Sequence, residues 1–190
     1  AYSVPMQSAA SGDFHQAVDL VRSMQLRPEV ELAEAPAPRR MAPEALALTA
    51  EVVRDDEELG SGRLVVLHNP AGEDGWEGTT RIVLYIDALV EADLAGDSLL
   101  PEVGWSWLQE SLDDTAAEHW ALGGTVTRVQ SESFAEMATR EPEGRVQIRA
   151  SWTAGDLTEL PRHVQAWADL LATACGLEPV SAGVTLLRPR

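Results

Sequence analysis

The apolar positions of this chain change period several times, and each change predicts an element. From Ser11, a capping residue, Phe14, Ala17, Val18, Val21 and Met24 recur at helical spacing. Arg27-Pro28 ends that helix, because the residue before a proline avoids the α region. Residues 28–43 hold four prolines and no helical period, which predicts an extended arm with a short strand at 29–32. Residues 44–54 begin helix-like and end strand-like; with the acidic turn DDEELGSG and the run RLVVLH they predict a hairpin. The runs 64–67 and 82–86 are continuously apolar, the pattern of strands covered on both faces. Between them, HNPAGEDGWEGTTR reads as a long hairpin loop capped by Trp76, which serves either as a partner contact or as a lid folded back on the core.

The second half is better marked. ALVEADLAGDS predicts a short helical turn, and LLPEVGWSWLQESL the central helix, with Pro101 and Glu102 suited to its first turn. At about 100° per residue, Gly104, Leu108, Ser111, Leu112 and Thr115 form one stripe. Trp105 and Trp107 fall on its two flanks, and Gly104 marks a close approach to the sheet. This helix is expected to end before Gly123-Gly124. Residues 125–134 and 145–153 read as strands; in the second, Val146, Ile148, Ala150 and Trp152 alternate with Arg145, Gln147, Arg149 and Ser151. A last helix opens at Thr158 or Leu160 before Pro161, carries the stripe Val164, Trp167, Ala168, Leu171 and Cys175, and closes at Gly176. The tail VSAGVTLL could add an edge strand.

Strands interrupted by single helices indicate an α+β fold. The expectation is a mostly antiparallel sheet of about five strands packed with two main helices, at 101–118 and 160–175. The N-terminal helix and extended arm would cover part of the other sheet face. Residues 1–11 read as a flexible N-terminus and 12–190 as one domain.

Composition narrows the function classes. The 14 basic residues, all arginine, against 31 acidic ones give a net charge of −17. Such a surface repels phosphate, which argues against nucleic-acid binding. One cysteine excludes an internal disulfide and suits a reducing compartment. Neither a signal-peptide pattern nor an apolar run near the ~20 residues of a membrane span is present, so a cytoplasmic protein without membrane attachment is expected.

Candidate chemistry is sparse. The glycines at 72, 75 and 78 superficially resemble a phosphate loop, but no lysine or helix follows and Glu73, Asp74 and Glu77 would repel an anion. Asp55–Glu58 lacks the ligand spacing of a calcium loop. Ser106 has no nucleophile elbow around it, and Cys175 lies on an apolar stripe as an inert thiol. His15, His68, His119 and His163 are scattered with no paired spacing, so no metal or cofactor is expected. His68, ending a buried strand beside a glycine-rich loop, is the histidine of most interest. Arg39-Arg40 reads as a solvated linker pair. The best polar constellation joins Arg128, Gln130 and Glu132 to Arg145, Gln147 and Arg149 on one hairpin face. It is either a solvated face with cross-strand charge pairs or a site for an anion or a partner's acidic groups.

The blocks LLPEVGWSWL, GTVTRVQSESF and RASW, with RPEVEL, PAPRRMAP and GRLVVLHNPAG upstream, resemble an actinobacterial family catalogued as domain of unknown function number three thousand, over roughly residues 14–177. The family has no assigned activity, so the resemblance implies no catalytic residues. The position of its genes beside those for a ribonuclease D-like exonuclease and uroporphyrinogen decarboxylase implies a link to RNA processing or tetrapyrrole metabolism. Three readings follow. The first is a non-enzymatic protein-interaction or regulatory protein anchored by Trp76, Trp105 or Trp107. The second is a binder of an anionic small molecule, or an unfamiliar enzyme, using the arginine face. The third, ranked last on charge, is an RNA-processing accessory protein.

Overall fold

The computed structural model describes residues 7–180, with side chains from Asp13 onward. Its elements run α1 (Gln7–Arg22), β1 (Val30–Ala35), β2 (Glu44–Arg54), β3 (Glu57–Glu73), β4 (Gly78–Val90), α2 (Ala92–Gly96), α3 (Leu100–Asp114), β5 (His119–Ser131), β6 (Glu143–Ala154) and α4 (Leu160–Ala174), with single 3-10 turns in three of the connections. The fold is α+β, with a six-stranded antiparallel sheet in the order β1-β2-β3-β4-β6-β5 and four helices. The first four strands form a meander. The chain then crosses over through α2 and α3 to lay β5 at the far edge, and β6 returns between β5 and β4.

Period-2 alternation decides which side chains meet the helices. Across β2, β3, β4 and β6, Leu46, Val66, Ile82 and Trp152 form one buried row, and Leu48, Leu64, Leu84 and Ala150 the next. On these rows sits α4, whose Val164, Trp167, Leu170 and Leu171 are fully buried. The approach is close because β3 carries glycine there. A Cβ on Gly62 would stand 3.0 Å from Trp167 Nε1 and 3.0 Å from the Tyr85 carbonyl. Pro161 opens α4. Gly176, at φ +77°, closes it: the Gly176 N–H bonds Thr173 O, the Leu177 N–H bonds Ala172 O, and Leu177 is itself buried. Gly104 of α3 sits over β5 and β6, where an added Cβ would meet Val126 at 3.2 Å and Ile148 at 3.6 Å. The stripe expected for α3 is buried as Gly104, Leu108, Ser111 and Leu112, with Trp105 and Trp107 half-buried on its flanks.

Several expectations are corrected. Residues 44–54 are strand throughout, since Leu46, Leu48, Ala50 and Val52 all point to the core. The acidic turn shrinks to Asp55-Asp56, both in the left-handed region at φ 52° and 62°, which matches a tight two-residue hairpin. The predicted long loop around Trp76 is mostly strand, because β3 runs to Glu73 and β4 starts at Gly78. Helix α3 ends before Gly123-Gly124 as expected, at Asp114, but the strand expected from 125 starts earlier, at His119, so the two glycines lie inside β5 beside a register shift between Trp120 and Gly123. The short strand expected at 29–32 is present but longer, as β1, and brings the sheet to six strands. Helix α1 begins at Gln7, ahead of Ser11, and ends at Arg22, ahead of Arg27. The expected tail strand extends outside the described residues.

The largest correction concerns cover. Helix α1 lies on the same side of the sheet as α3 and α4, burying Phe14, Ala17, Val18 and Val21, with Phe14 stacked on His68 at 5.6 Å. Arg22 ties it to Glu34 of β1 through two 3.0 Å bonds. No described helix lies over the opposite face, where Val83 is 39% exposed. Of the outward-facing apolar residues in the two runs, Val65 is half-buried and Val83 exposed, while Leu67 is buried.

Two predictions follow from the helix layer. Gly62→Val forces Trp167 and the β4 backbone apart; overpacking of this kind costs about 1–3 kcal/mol or more, read as a lower denaturation midpoint. The second concerns His163, fully buried, whose Nδ1 accepts from Trp152 Nε1 at 3.0 Å. Burial lowers its pKa from 6.5 to about 4. The unfolded chain therefore binds a proton below pH 6.5 that the folded chain refuses until about pH 4, and stability falls as pH drops through that window. The loss approaches roughly 3 kcal/mol by the linkage constant. Denaturation midpoints between pH 7 and 4 should show His163→Gln with a shallower acid slope; the remaining slope includes His68, whose pKa burial also lowers.

Candidate functional site

The outer sheet face is built from the residues that alternate with the core. One row across β2, β3, β4, β6 and β5 reads Thr49, Arg63, Tyr85, Arg149 and Thr125; the next reads Ala47, Val65, Val83, Ser151 and Gly123. Between them runs an apolar trough of about 430 Å³ with Val65 and Val83 in it and the Gly123-Gly124 backbone at one end. A Cβ on Gly124 would collide with the Arg149 carbonyl and the Ala150 backbone, so that end of the trough needs glycine.

Charge is arranged unevenly around the trough. Arg149 lies over the Tyr85 ring, with Cζ 4.7 Å from its centroid, a cation–π contact. Neither Arg149 nor Arg63 forms an ion pair with any described residue. Asp87, the nearest acid along β4, is occupied: Arg145 Nε donates to it at 2.7 Å, Gln147 at 3.1 Å and the Tyr85 hydroxyl at 3.2 Å. Burial and then the Asp87 carboxylate push the Tyr85 hydroxyl above its usual pKa, so it stays protonated as a donor. Arg81 is committed too, donating to Ser151 Oγ, Thr153 Oγ1 and the Ala121 carbonyl, which pins the irregular start of β5 across β6 onto β4.

The β3–β4 hairpin tip is fastened to β5 and β6. Trp120 Nε1 donates to the Glu77 carbonyl at 2.9 Å, and the Thr153 hydroxyl donates to the Trp76 carbonyl. Trp76 is thus held by its backbone, with its side chain half-buried.

The arginine constellation read from sequence divides between the two sides of the sheet. Arg145, Gln147 and Arg149 are on the outer face, but the register sets Arg128 opposite Val146 and Gln130 opposite Gly144, both on the helix side. There Arg128 Nη1 donates to the Gly96 carbonyl at 2.9 Å and Gln130 to the Ala92 carbonyl, so the two hold α2 in place. Glu132 is exposed just past the end of β5. His68 is buried, with Nδ1 2.9 Å from Thr80 Oγ1 and its ring stacked on Phe14. Trp105 is half-buried against the core. Cys175 is half-buried, and burial pushes its thiol up to about 12, which keeps it protonated at neutral pH. The site residues that sequence reasoning missed are Arg63, Tyr85, Val65 and Val83. Their signal was present: once Leu64 and Val66 are assigned to the core, alternation sends Arg63 and Val65 to the other face.

Among the described residues, no three His, Cys, Asp or Glu side chains converge as a metal site requires. No described helix is long and apolar enough to cross a membrane. No curated protein and no solved structure matches the chain. One family model does match it, over residues 10–185, and with nearly the whole chain covered the protein belongs to that family, described as "Protein of unknown function (DUF3000)".

Proposed function

We propose that the protein is a non-enzymatic cytoplasmic interaction protein, a single domain that receives a carboxylate-bearing segment of another protein on the outer face of its sheet. One observation carries this reading: Arg63 and Arg149, on either side of Tyr85, have no carboxylate partner among the described residues and border an apolar trough. The two guanidiniums arise two strand spacings apart, roughly 10 Å. An extended or helical segment with two acidic side chains flanking an apolar one matches that spacing. In a chain of net charge −17, unneutralised arginines around apolar surface are where an acidic partner meets the least repulsion.

A second reading keeps the same face for a small anionic ligand. The stack of Arg149 on Tyr85 favours it, because it presets a flat donor shelf beside the trough.

Fluorescence-anisotropy titration with acidic peptides, with and without an apolar residue between two carboxylates, tests the first reading. Binding is expected to need both features. Arg63→Ala plus Arg149→Ala should weaken it on the order of a hundredfold, since each charge-assisted contact contributes about 1.5–3 kcal/mol. Equal affinity of that double variant and the parent would overturn the reading. Thermal-shift titration with dicarboxylates and phosphorylated metabolites tests the second, which predicts a rise in melting temperature that the same double variant abolishes.

A further inference from the structure

The seam between α1 and β1 holds an apolar pocket. Val18 and Val21 of α1, Met24 just past it, Leu32 of β1 and Leu46 and Leu48 of β2 line a volume of about 260 Å³. An apolar cavity on the order of 150 Å³ admits a benzene molecule, so this one has room for two aliphatic side chains. Beside the pocket, β1 is an edge strand of the sheet. The Val53 N–H donates to the Glu29 carbonyl at 2.9 Å, and in the same register Glu31, Ala33 and Ala35 form the hydrogen-bonded pairs with β2. The N–H and C=O groups of Leu32 and Glu34 therefore point away from β2, and among the described residues nothing bonds them.

The chain leaving α4 arrives at this edge. Leu177, just past the helix stop, is buried, and Arg27 Nη1 donates to the Glu178 carbonyl at 2.8 Å. The Val30 N–H bonds back to the Arg27 carbonyl, so Glu178 is held at the head of β1. After Val180 the sequence continues SAGVTLLRPR. In it Ala182, Val184 and Leu186 alternate with Ser181, Gly183 and Thr185, the pattern of a strand buried on one face, and Arg188 and Arg190 follow.

We infer that residues 182–187 dock along β1 as a further strand, placing Val184 and Leu186 in the α1–β1 pocket. A strand that starts beside Arg27 and continues along β1 runs parallel to it and takes up the free groups of Leu32 and Glu34. The reach is sufficient: extended, Glu178 to Leu186 spans up to about 26 Å at ~3.3 Å per residue, against about 23 Å from Arg27 to Glu34. Alternation then gives Val184 and Leu186 the helix side, where Leu32 and Glu34 also point. Charge selects this occupant over a second copy. β1 carries Glu31 and Glu34 and no basic residue, and Arg22 is already shared between Glu34 and Asp19. A second copy brings a net charge of −17 to that acidic edge, whereas residues 181–190 hold two arginines and no acid. The pocket lies on the helix side at the β1 edge, away from Arg63 and Arg149, so this docking is independent of the binding role proposed above.

Amide hydrogen exchange across the full 190-residue protein tests this docking. The Leu32 and Glu34 amides should exchange slowly although they face away from β2, and the amides of residues 184–187 with them. Val184→Glu plus Leu186→Glu, and separately Arg188→Glu plus Arg190→Glu, should each speed exchange at those amides roughly tenfold or more, while β3 and β4 keep their protection. In a Cys175→Ser background, Leu32→Cys plus Val184→Cys should close a disulfide within one chain, whereas Val83→Cys on the outer face plus Val184→Cys should not. Leu32 and Glu34 amides that exchange equally fast in the parent and in either variant overturn the proposal. So does protection that rises with protein concentration, or a disulfide formed only between chains, either of which marks a second copy as the occupant.

Discussion

The architecture depends on how closely α4 approaches β3. Trp167 lies over Gly62, where even one methyl group would stand 3.0 Å from the indole nitrogen. At that separation the α4 stripe reaches the central strands and buries Val164, Leu170 and Leu171 completely. Contacts among so many fully buried side chains supply the dominant favourable term in a fold of this size. Helix α3 repeats the device at Gly104, and α1 completes the layer over β2 and β3 through Phe14 and His68. All three long helices thus spend their apolar faces on the same side of the sheet.

That one-sidedness creates the opposite face. With no helix to cover them, Val65 and Val83 stay partly in water, and the side chains around them are held by polar contacts instead of packing. Asp87 is saturated by three donors, Arg81 by three acceptors, and the hairpin tip is fastened by Trp120 and Thr153. Arg63 and Arg149 are left over. Of the two, Arg149 is held in place by its stack on Tyr85. Among the described residues, β5 is the edge strand on the far side of the sheet and pairs only with β6.

The helices were the most legible elements. The α4 stripe, its proline start and its glycine stop, and the flanking placement of Trp105 and Trp107 all follow from a 3.6-residue period, and the structure has them. So does the alternation along β6. The strands of the meander were harder, for an identifiable reason. Alanine and leucine in 44–54 satisfy helix and strand patterns alike, and only pairing with β1 and β3 decides between them. In 64–67 and 82–86 every position is apolar, so period alone cannot say whether one face or two are covered. The arginine face failed on parity. In TVTRVQ, Val126 and Val129 offer two equally apolar alternations, and the register that pairs Val126 with Ile148 sends Arg128 to the helix side.

The sequence by itself determined the α+β class, the antiparallel tendency, the spans and faces of the two later main helices, and the absence of any local catalytic or metal-binding signature. These are properties of neighbours along the chain, set by residue spacing, proline, glycine and charge. Only the tertiary structure decided that three helices share one face, that Arg63 and Arg149 flank Tyr85 while Arg128 leaves them, and that β5 lies at the edge of the described sheet. Each of those depends on strand register and on which element lies over which. A one-residue slip inverts both faces of a strand, so they are settled by packing between segments far apart in sequence and not by the segments themselves.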